Sequence, residues 1–323
     1  MRRMIAAGLA GACAALGCVA ALAQDYPVRP VKIVVPFDAG GPADVYARFL
    51  SQRLQEAMGQ PFVVENRPGA GSLIGTEAAA RSAPDGYTLL LMSNTQTVNE
   101  SLVPNKSYAL LRDFVAVAPV NYSDLVLVVN PVVAAATVAD LVKLAKARPG
   151  SLNYASSGTG TPYHMAGELF KAMAGVDIVH VPYKGSGGAR TGVLGGQVDM
   201  MFDAVTTMSD HVRAGKVRAL GTSGTTPSAV LPGVPTIADA GVRGYEAVIW
   251  LGILAPRNTP PPVVNRLNAE ITKIAANADA RQEWAKRGAV PMTMSPEAFN
   301  RFLADDIAKW ERIVKISGAK PDQ

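Results

Sequence analysis

The sequence VKIVVPFDAGGPAD, at residues 31–44, defines the first structural unit of the chain. Its first five residues, Val31–Val35, are apolar apart from one lysine, which is typical of a buried strand. A glycine pair follows, and Val45, Phe49 and Leu54 then recur at helical spacing. These residues therefore predict a strand, a glycine-rich turn and a helix, as in an α/β fold.

The same alternation continues along the chain. Helix-length segments separate most of the predicted strands, which favours largely parallel sheets with ligands at the carboxyl-end loops. The further strands are predicted at residues 62–65, 88–92, 115–120, 125–129, 152–155, 178–181, 198–202, 217–221 and 248–254.

The C-terminal part of the chain, after Pro256, is predicted to be mainly helical. One helix begins in the proline run 260–262, and a long helix follows Pro296. The second helix carries Phe299, Phe302 and Trp310 at the spacing of a packed face. We interpret these aromatic residues as core, in preference to a binding surface.

Two similar sets of strand–helix units predict two lobes. The chain crosses between them near Asn121 and Trp250, where extended runs are flanked by turn residues. One lobe is therefore predicted to contain residues 24–121 and 251–323, and the other residues 122–250.

The N-terminus has the pattern of an export signal. Arg2 and Arg3 precede an apolar run at residues 4–21, and Ala-Leu-Ala at residues 21–23 is typical of a cleavage site. The sequence predicts residues 1–23 to be a cleaved signal peptide. An uncleaved anchor, a twin-arginine route and a lipoprotein site at residues 15–18 remain as alternatives.

Composition excludes several classes of protein. Of 323 residues, 49% are hydrophobic and 18% charged, which suits a large globular protein. The net charge is only +5 and the basic residues are scattered, so no nucleic-acid partner is expected. Cys13 and Cys18 both lie in the signal segment. The mature chain therefore has no thiol for a disulfide, a thiolate nucleophile or a metal.

Three loops have the composition of anion-binding sites. They lie at residues 36–44, 153–164 and 180–189, each between a predicted strand and a predicted helix. Glycines allow close backbone approach, and hydroxyls and helix N-termini supply hydrogen-bond donors. Each loop alone could be a tight turn, with Asp44 as a helix cap in the first. Together they predict an anion-binding cleft.

Motifs for catalysis are incomplete. Residues 221–225 lack the last glycine of a nucleophile elbow, and the glycines at residues 69–75 are spaced too widely for a dinucleotide site. His164 and Glu168 lie four residues apart, but no further histidine or cysteine completes a zinc site. Asp203 either caps a strand end or faces the cleft. We expect no enzyme activity, no cofactor and no metal.

A set of motifs in order resembles the Bug family, the periplasmic receptors of tripartite tricarboxylate transporters. The resemblance covers essentially the whole mature chain. Its motifs are YPVRPVKIVVPF at residues 26–37, VENRPGAG at 64–71, PDGYTLL at 84–90, YASSG at 154–158, PYKG at 182–185, LGGQVD at 194–199 and LPGVPT at 231–236.

The resemblance implies a two-lobed Venus-flytrap receptor with the type II periplasmic-binding-protein fold. Such a receptor closes on a small carboxylate and delivers it to membrane permease subunits. We expect this chain to be a monomer. The solute class stays open among dicarboxylates, amino acids and aromatic carboxylates. An exported hydrolase and an orphan sensor without a permease remain as alternatives.

The family also implies positions for the ligand site. The loop after the first strand forms one wall, a second-lobe surface forms the other, and two residues after the strand at 88–92 form a rim. The first wall contains Phe37, Gly40, Gly41 and Asp44; the second contains Ser157, Thr159, His164, Tyr183, Lys184, Gly185 and Ser186; the rim contains Ser93 and Asn94.

The chain departs from the family pattern at several positions near this site. Asp38 stands where a small residue or proline is common. If it faces the cleft, it repels a second ligand carboxylate and favours an ammonium or amide; the alternative is that it faces solvent. Gly188 and Gly192 replace a proline and an aspartate of the pattern, so the family pattern does not predict where the local helix begins. Arg190 between them would add a second cation.

Overall fold

The computed structural model describes residues 26–321. The predicted signal peptide, its alternatives and both cysteines lie outside the described residues. Ten strands are found within the described range: β1 Val31–Val35, β2 Phe62–Asn66, β3 Thr88–Ser93, β4 Phe114–Val129, β5 Asn153–Ser156, β6 Val179–Pro182, β7 Met200–Ala204, β8 Arg218–Thr222, β9 Val248–Pro256 and β10 Ala289–Pro291.

Helices follow most of these strands. Within residues 26–321, none has both the length and the apolar character that a membrane span requires. They are α1 Pro42–Met58, α2 Leu73–Ala80, α3 Asn94–Leu102, α4 Leu110–Asp113, α5 Val138–Ala147, α6 Pro162–Ala174, α7 Ser186–Leu194, α8 Val205–Arg213, α9 Pro261–Ala276, α10 Ala278–Lys286 and α11 Pro296–Ser317.

The strands form one sheet in the order β2-β1-β3-β9-β4-β7-β5-β6, and β8 and β10 also pair with β4. The expectation of largely parallel sheets is only half right. β1 is parallel to β2 and β3, and β5 is parallel to β6 and β7. Every pair that includes β4 or β9 is antiparallel, because these two strands join the parallel groups and run against them.

Strand β4 is continuous, whereas the sequence predicted two strands at 115–120 and 125–129. The residues between them are polar and resemble a turn, but β9 and β10 hydrogen-bond to this part of β4 and keep it extended. Asp124 pairs with Val248 of β9, and the next residue, Leu125, pairs with Ala204 of β7. Up to residue 124, β4 therefore pairs with β9 and β10, and from residue 125 it pairs with β7 and β8.

Apolar cores lie on both parts of the sheet. Ile33, Leu50 and Ile253 belong to one core, and Leu127 and Phe202 belong to another. Each of these side chains has no exposed surface.

The C-terminal helix α11 packs as the sequence predicted. Phe299 and Trp310 are buried, and Phe302 packs against the same core as Phe299, which confirms that these aromatic residues form a packed face. Trp310 also clusters with Met165 of α6, the helix that follows β5. The helix α11 therefore packs both on the part of the sheet that contains β1 and β3 and on a helix of the part that contains β5.

Candidate functional site

A cleft of about 520 Å³ lies where the carboxyl-end loops meet. The loops after β1, β2 and β3 form one wall, and the loops after β5 and β6 form the other. Ile249 and Leu251 of β9 lie at the base. This volume suits a small solute, since ligand pockets usually measure about 300–1,000 Å³.

Most of the expected site residues are brought together by the fold. They come from distant parts of the sequence and line the same cleft. Those that line it are Phe37, Asp38, Gly41, Ser93, Ser157, Thr159, Tyr183, Lys184, Gly185 and Ser186.

Helix N-termini dominate the polar surface of the cleft. The residues that precede the first turns of α1, α2, α3, α6 and α7 all line it. They are Gly41, Ser72, Ser93, Thr161 and Gly185. Gly41, Ser72 and Gly185 make no side-chain cap. Pro42 has no N–H and the N–H of Leu73 donates to the carbonyl oxygen of Ala70, so it is the other first-turn N–H groups of α1, α2 and α7 that face a ligand or solvent. Five helix termini around one cleft favour an anion.

The two walls approach each other closely. A Cβ atom at Gly41 would lie 3.1 Å from the Oγ of Ser186 on the opposite wall. A Cβ atom at Gly71 would lie 3.0 Å from the carbonyl oxygen of Thr159. Glycine at these positions allows the backbones to come within this distance.

The loop after β2 also belongs to the site, although sequence reasoning missed it. The glycines of this loop do not match a dinucleotide-binding motif, and no other site was predicted from them. In the structure, residues 68–72 line the cleft. Ala70 and Ser72 have positive φ angles of 47° and 76°. The signal in the sequence is a glycine-rich segment directly after a strand, as in the other loops.

A buried glutamine holds this loop in place. Nε2 of Gln96 donates to Ser72 Oγ over 3.0 Å and to Thr76 Oγ1 over 3.1 Å. Both bonds tie the start of α2 to the first turn of α3. The loop after β2 is thus fixed against the loop after β3 within one wall.

Asp44 lies beside the cleft and supports its first wall. Its Oδ2 accepts from the backbone N–H of Gly40 and from Arg48 Nε, each over 3.0 Å. Burial opposes ionisation, but the hydrogen bonds from Arg48 and Gly40 hold the pKa of Asp44 below its usual range. Contrary to expectation, neither Asp44 nor Gly40 lines the cleft.

Asn94 also lies behind the surface, although it was expected at the rim. It is buried, and its Nδ2 donates to the carbonyl oxygen of Val248 over 2.9 Å. This bond ties the start of α3 to β9. Ser93 before it and Thr95 after it do line the cleft.

His164 supports the second wall from inside. Its Nδ1 accepts from the N–H of Gly160 over 3.1 Å, and its ring stacks on His180 at 4.1 Å between centroids. Burial lowers the pKa of His164 to about 4, so the ring is neutral and can accept this bond. His164 therefore positions the loop at residues 158–160 and does not line the cleft.

Glu168, the possible zinc partner of His164, is engaged elsewhere. It accepts from Tyr154 Oη and from Lys171 Nζ, each over 2.7 Å. Within residues 26–321, no group of histidine, cysteine and acidic side chains is arranged to hold a metal ion.

Asp203 and Arg190 form a buried ion pair away from the cleft surface. Arg190 Nε donates to Asp203 Oδ2 over 2.7 Å, and the Asp203 side chain has no exposed surface. Asp203 also accepts from the N–H of Ala204 over 2.8 Å. Neither member of the pair lines the cleft, so Arg190 does not add a cation there. The helix that contains Gly188 and Gly192, α7, begins at Ser186.

Comparisons with known proteins agree with this geometry. A sequence model described as the tripartite tricarboxylate transporter family receptor matches residues 46–319. BugT of Bordetella pertussis is 40% identical over 300 residues, which are 92% of this chain and 92% of BugT.

Solved structures are similar along most of the chain. R. palustris Rpa4515 with adipate has a TM-score of 0.89 and 34% identity, and the match covers 92% of this chain and 100% of that one. MatC from Rhodopseudomonas palustris with bound malate has a TM-score of 0.85 and 31% identity, and the match covers 90% of this chain and 100% of MatC. The periplasmic binding protein BugD has a TM-score of 0.87 and 32% identity, and the match covers 91% of this chain and 99% of BugD. These neighbours confirm the predicted two-lobed α/β fold.

Proposed function

Because the chain belongs to the tripartite tricarboxylate transporter receptor family, we propose that it is a periplasmic receptor for a small carboxylate. The observation that carries the proposal is the set of five helix N-termini around one cleft, contributed by both walls. The adipate and malate in two similar structures belong to the same chemical class.

A carboxylate between the walls would accept hydrogen bonds from first-turn N–H groups of helices that begin at the cleft. Micromolar affinity corresponds to about −8 kcal/mol. Hydrogen bonds to a charged group contribute about 1.5–3 kcal/mol each, and each helix terminus adds about 0.3–1 kcal/mol. Four or five such contacts, less the cost of closing the lobes, are sufficient without any chemical step.

The proposal includes the setting of the receptor. A signal peptide at residues 1–23 is cleaved on export, and the mature monomer delivers its solute to membrane permease subunits. Residues 24–121 and 251–323 form one lobe and residues 122–250 the other, with β4 and β9 as the joining strands. The protein binds its solute and does not convert it.

Thermal unfolding of residues 24–323 tests the proposal. The panel contains adipate, malate, aromatic carboxylates and amino acids. A ligand at about a hundred times its dissociation constant adds about 2.7 kcal/mol to the free energy of unfolding. A selective upward shift of Tm supports the receptor. No shift with any carboxylate, together with turnover of an ester, would establish the exported hydrolase instead.

Two variants locate the binding. Gly41→Val places a branched side chain against Ser186 and should abolish the shift. Lys184→Ala removes the basic residue of the cleft and should weaken binding several-fold. Lys143→Ala, on the exposed surface of α5, is the matched control and should leave binding unchanged.

A further inference from the structure

The charged side chains of the cleft are few. Among the described residues that line it, Asp38 is the only acidic residue and Lys184 the only basic one. Lys184 is exposed, whereas Asp38 is half-buried. The cleft therefore presents one carboxylate in a partly desolvated position.

The Asp38 carboxylate lies beside the opposite wall of the cleft. A Cβ atom at Gly185 would collide with the Asp38 carboxylate, which places that carboxylate beside the residue that precedes α7. Within residues 26–321, the Asp38 carboxylate has no hydrogen bond or ion pair. In contrast, Asp44 and Asp203 are bound by Arg48 and Arg190.

An unpaired carboxylate in a cleft selects among ligands. It repels a second ligand carboxylate and attracts an ammonium group, and both effects grow as the closed walls exclude water. The helix N-termini of the same cleft favour one carboxylate. The two features together match a molecule with one charge of each sign.

We propose that the ligand is a zwitterion whose carboxylate binds at the helix N-termini and whose ammonium group binds Asp38. This inference rests on the proposed carboxylate receptor and adds the second charged group of its ligand. Asp38 is then a specificity-determining residue that rejects simple dicarboxylates.

Isothermal titration with three compounds of equal chain length tests the inference. The six-carbon set is 6-aminohexanoate, adipate and hexanoate, and four- and five-carbon sets are measured in the same way. The wild type should bind the amino acid at least about tenfold more tightly than the diacid in at least one set. Asp38→Asn should reduce that ratio about 10- to 100-fold, and the affinity for the monoacid should change less than the affinities for the other two compounds.

Two controls support the interpretation. Asp85→Asn removes one negative charge from the surface and should keep the wild-type ratio. Thermal unfolding without ligand verifies that Asp38→Asn is folded, and Asp38→Ser serves as a second variant.

The outcomes separate the inference from the proposed function. Tighter binding of the diacid by the wild type, or an unchanged ratio in Asp38→Asn, overturns the inference alone. An equal change for all three compounds also overturns it, because Asp38 would then act on closure of the walls. If no carboxylate binds at any chain length, the proposed receptor function fails as well.

Discussion

The carboxylate of Asp38 and the backbone of Gly185 approach each other so closely that a side chain at position 185 would overlap with Asp38. The two residues come from opposite walls of the cleft. Their contact therefore depends on the closed arrangement of the loops after β1 and β6.

Gly185→Ala should weaken ligand binding about tenfold or more, because the added methyl group obstructs closure. Stability without ligand should change by less than about 1 kcal/mol, since the walls can separate. Calorimetric titration and thermal unfolding measure the two effects. Gly187→Ala, where an added Cβ meets open space, is the control. Equal affinities of the two variants would contradict the prediction.

Arg190→Met should destabilise the protein by about 3–5 kcal/mol, because it leaves the buried Asp203 carboxylate without its cation. The double variant Arg190→Met, Asp203→Leu should recover much of this loss. Urea unfolding provides the measurement. A single variant as stable as the wild type would show that the pair is unimportant.

Asp306 predicts a dependence of stability on pH. Burial raises the pKa of Asp306 to about 6, although a hydrogen bond from Thr97 acts to lower this pKa. The Oγ1 of Thr97 donates to Asp306 Oδ2 over 2.5 Å. The folded state thus holds the proton more tightly than the unfolded state, and the stability this provides is lost as pH rises from about 4 through 6. The shift corresponds to about 3 kcal/mol.

Asp306→Asn should therefore gain up to about 3 kcal/mol relative to the wild type between about pH 4 and pH 7. Denaturant unfolding across this range measures the difference. Asp305→Asn, on the exposed side of the same helix, is the control. A constant difference between Asp306→Asn and the wild type would refute the assignment.

His164 predicts the opposite dependence. Burial lowers its pKa from 6.5 to about 4, so the unfolded state binds the proton first as pH falls. The stability from neutral His164 is present above pH 6.5 and is lost as pH falls toward 4, by about 3 kcal/mol. His164→Asn should lose less stability in this range than the wild type, with His211→Gln as control. If the stability of His164→Asn and that of the wild type fall in parallel between pH 6.5 and pH 4, the prediction is wrong.

Most elements and loops could be predicted from the sequence. Val31–Val35 and the helix after it were predicted because local apolar periodicity specifies a strand or a helix. The three glycine- and hydroxyl-rich loops were predicted at strand ends, and all three contribute to the cleft.

Other features were not accessible to local patterns. The polar residues before Leu125 resemble a turn, and only the hydrogen bonds of β9 and β10 make them part of one strand. His164 and Asp203 have residue types suited to a ligand site, yet their partners hold them away from it. These partners are Gly160, His180 and Arg190.

Residue order along the chain specified the alternation of strands and helices, the position of the candidate loops and the resemblance to a receptor family. These features depend on neighbouring residues or on ordered motifs. The folded arrangement was needed to show which strands run antiparallel, that the loop at residues 68–72 joins the cleft, and that Asp38 faces Gly185. Those relationships arise between segments far apart in the chain, whose distances are set only when the backbone hydrogen bonds and the cores form together.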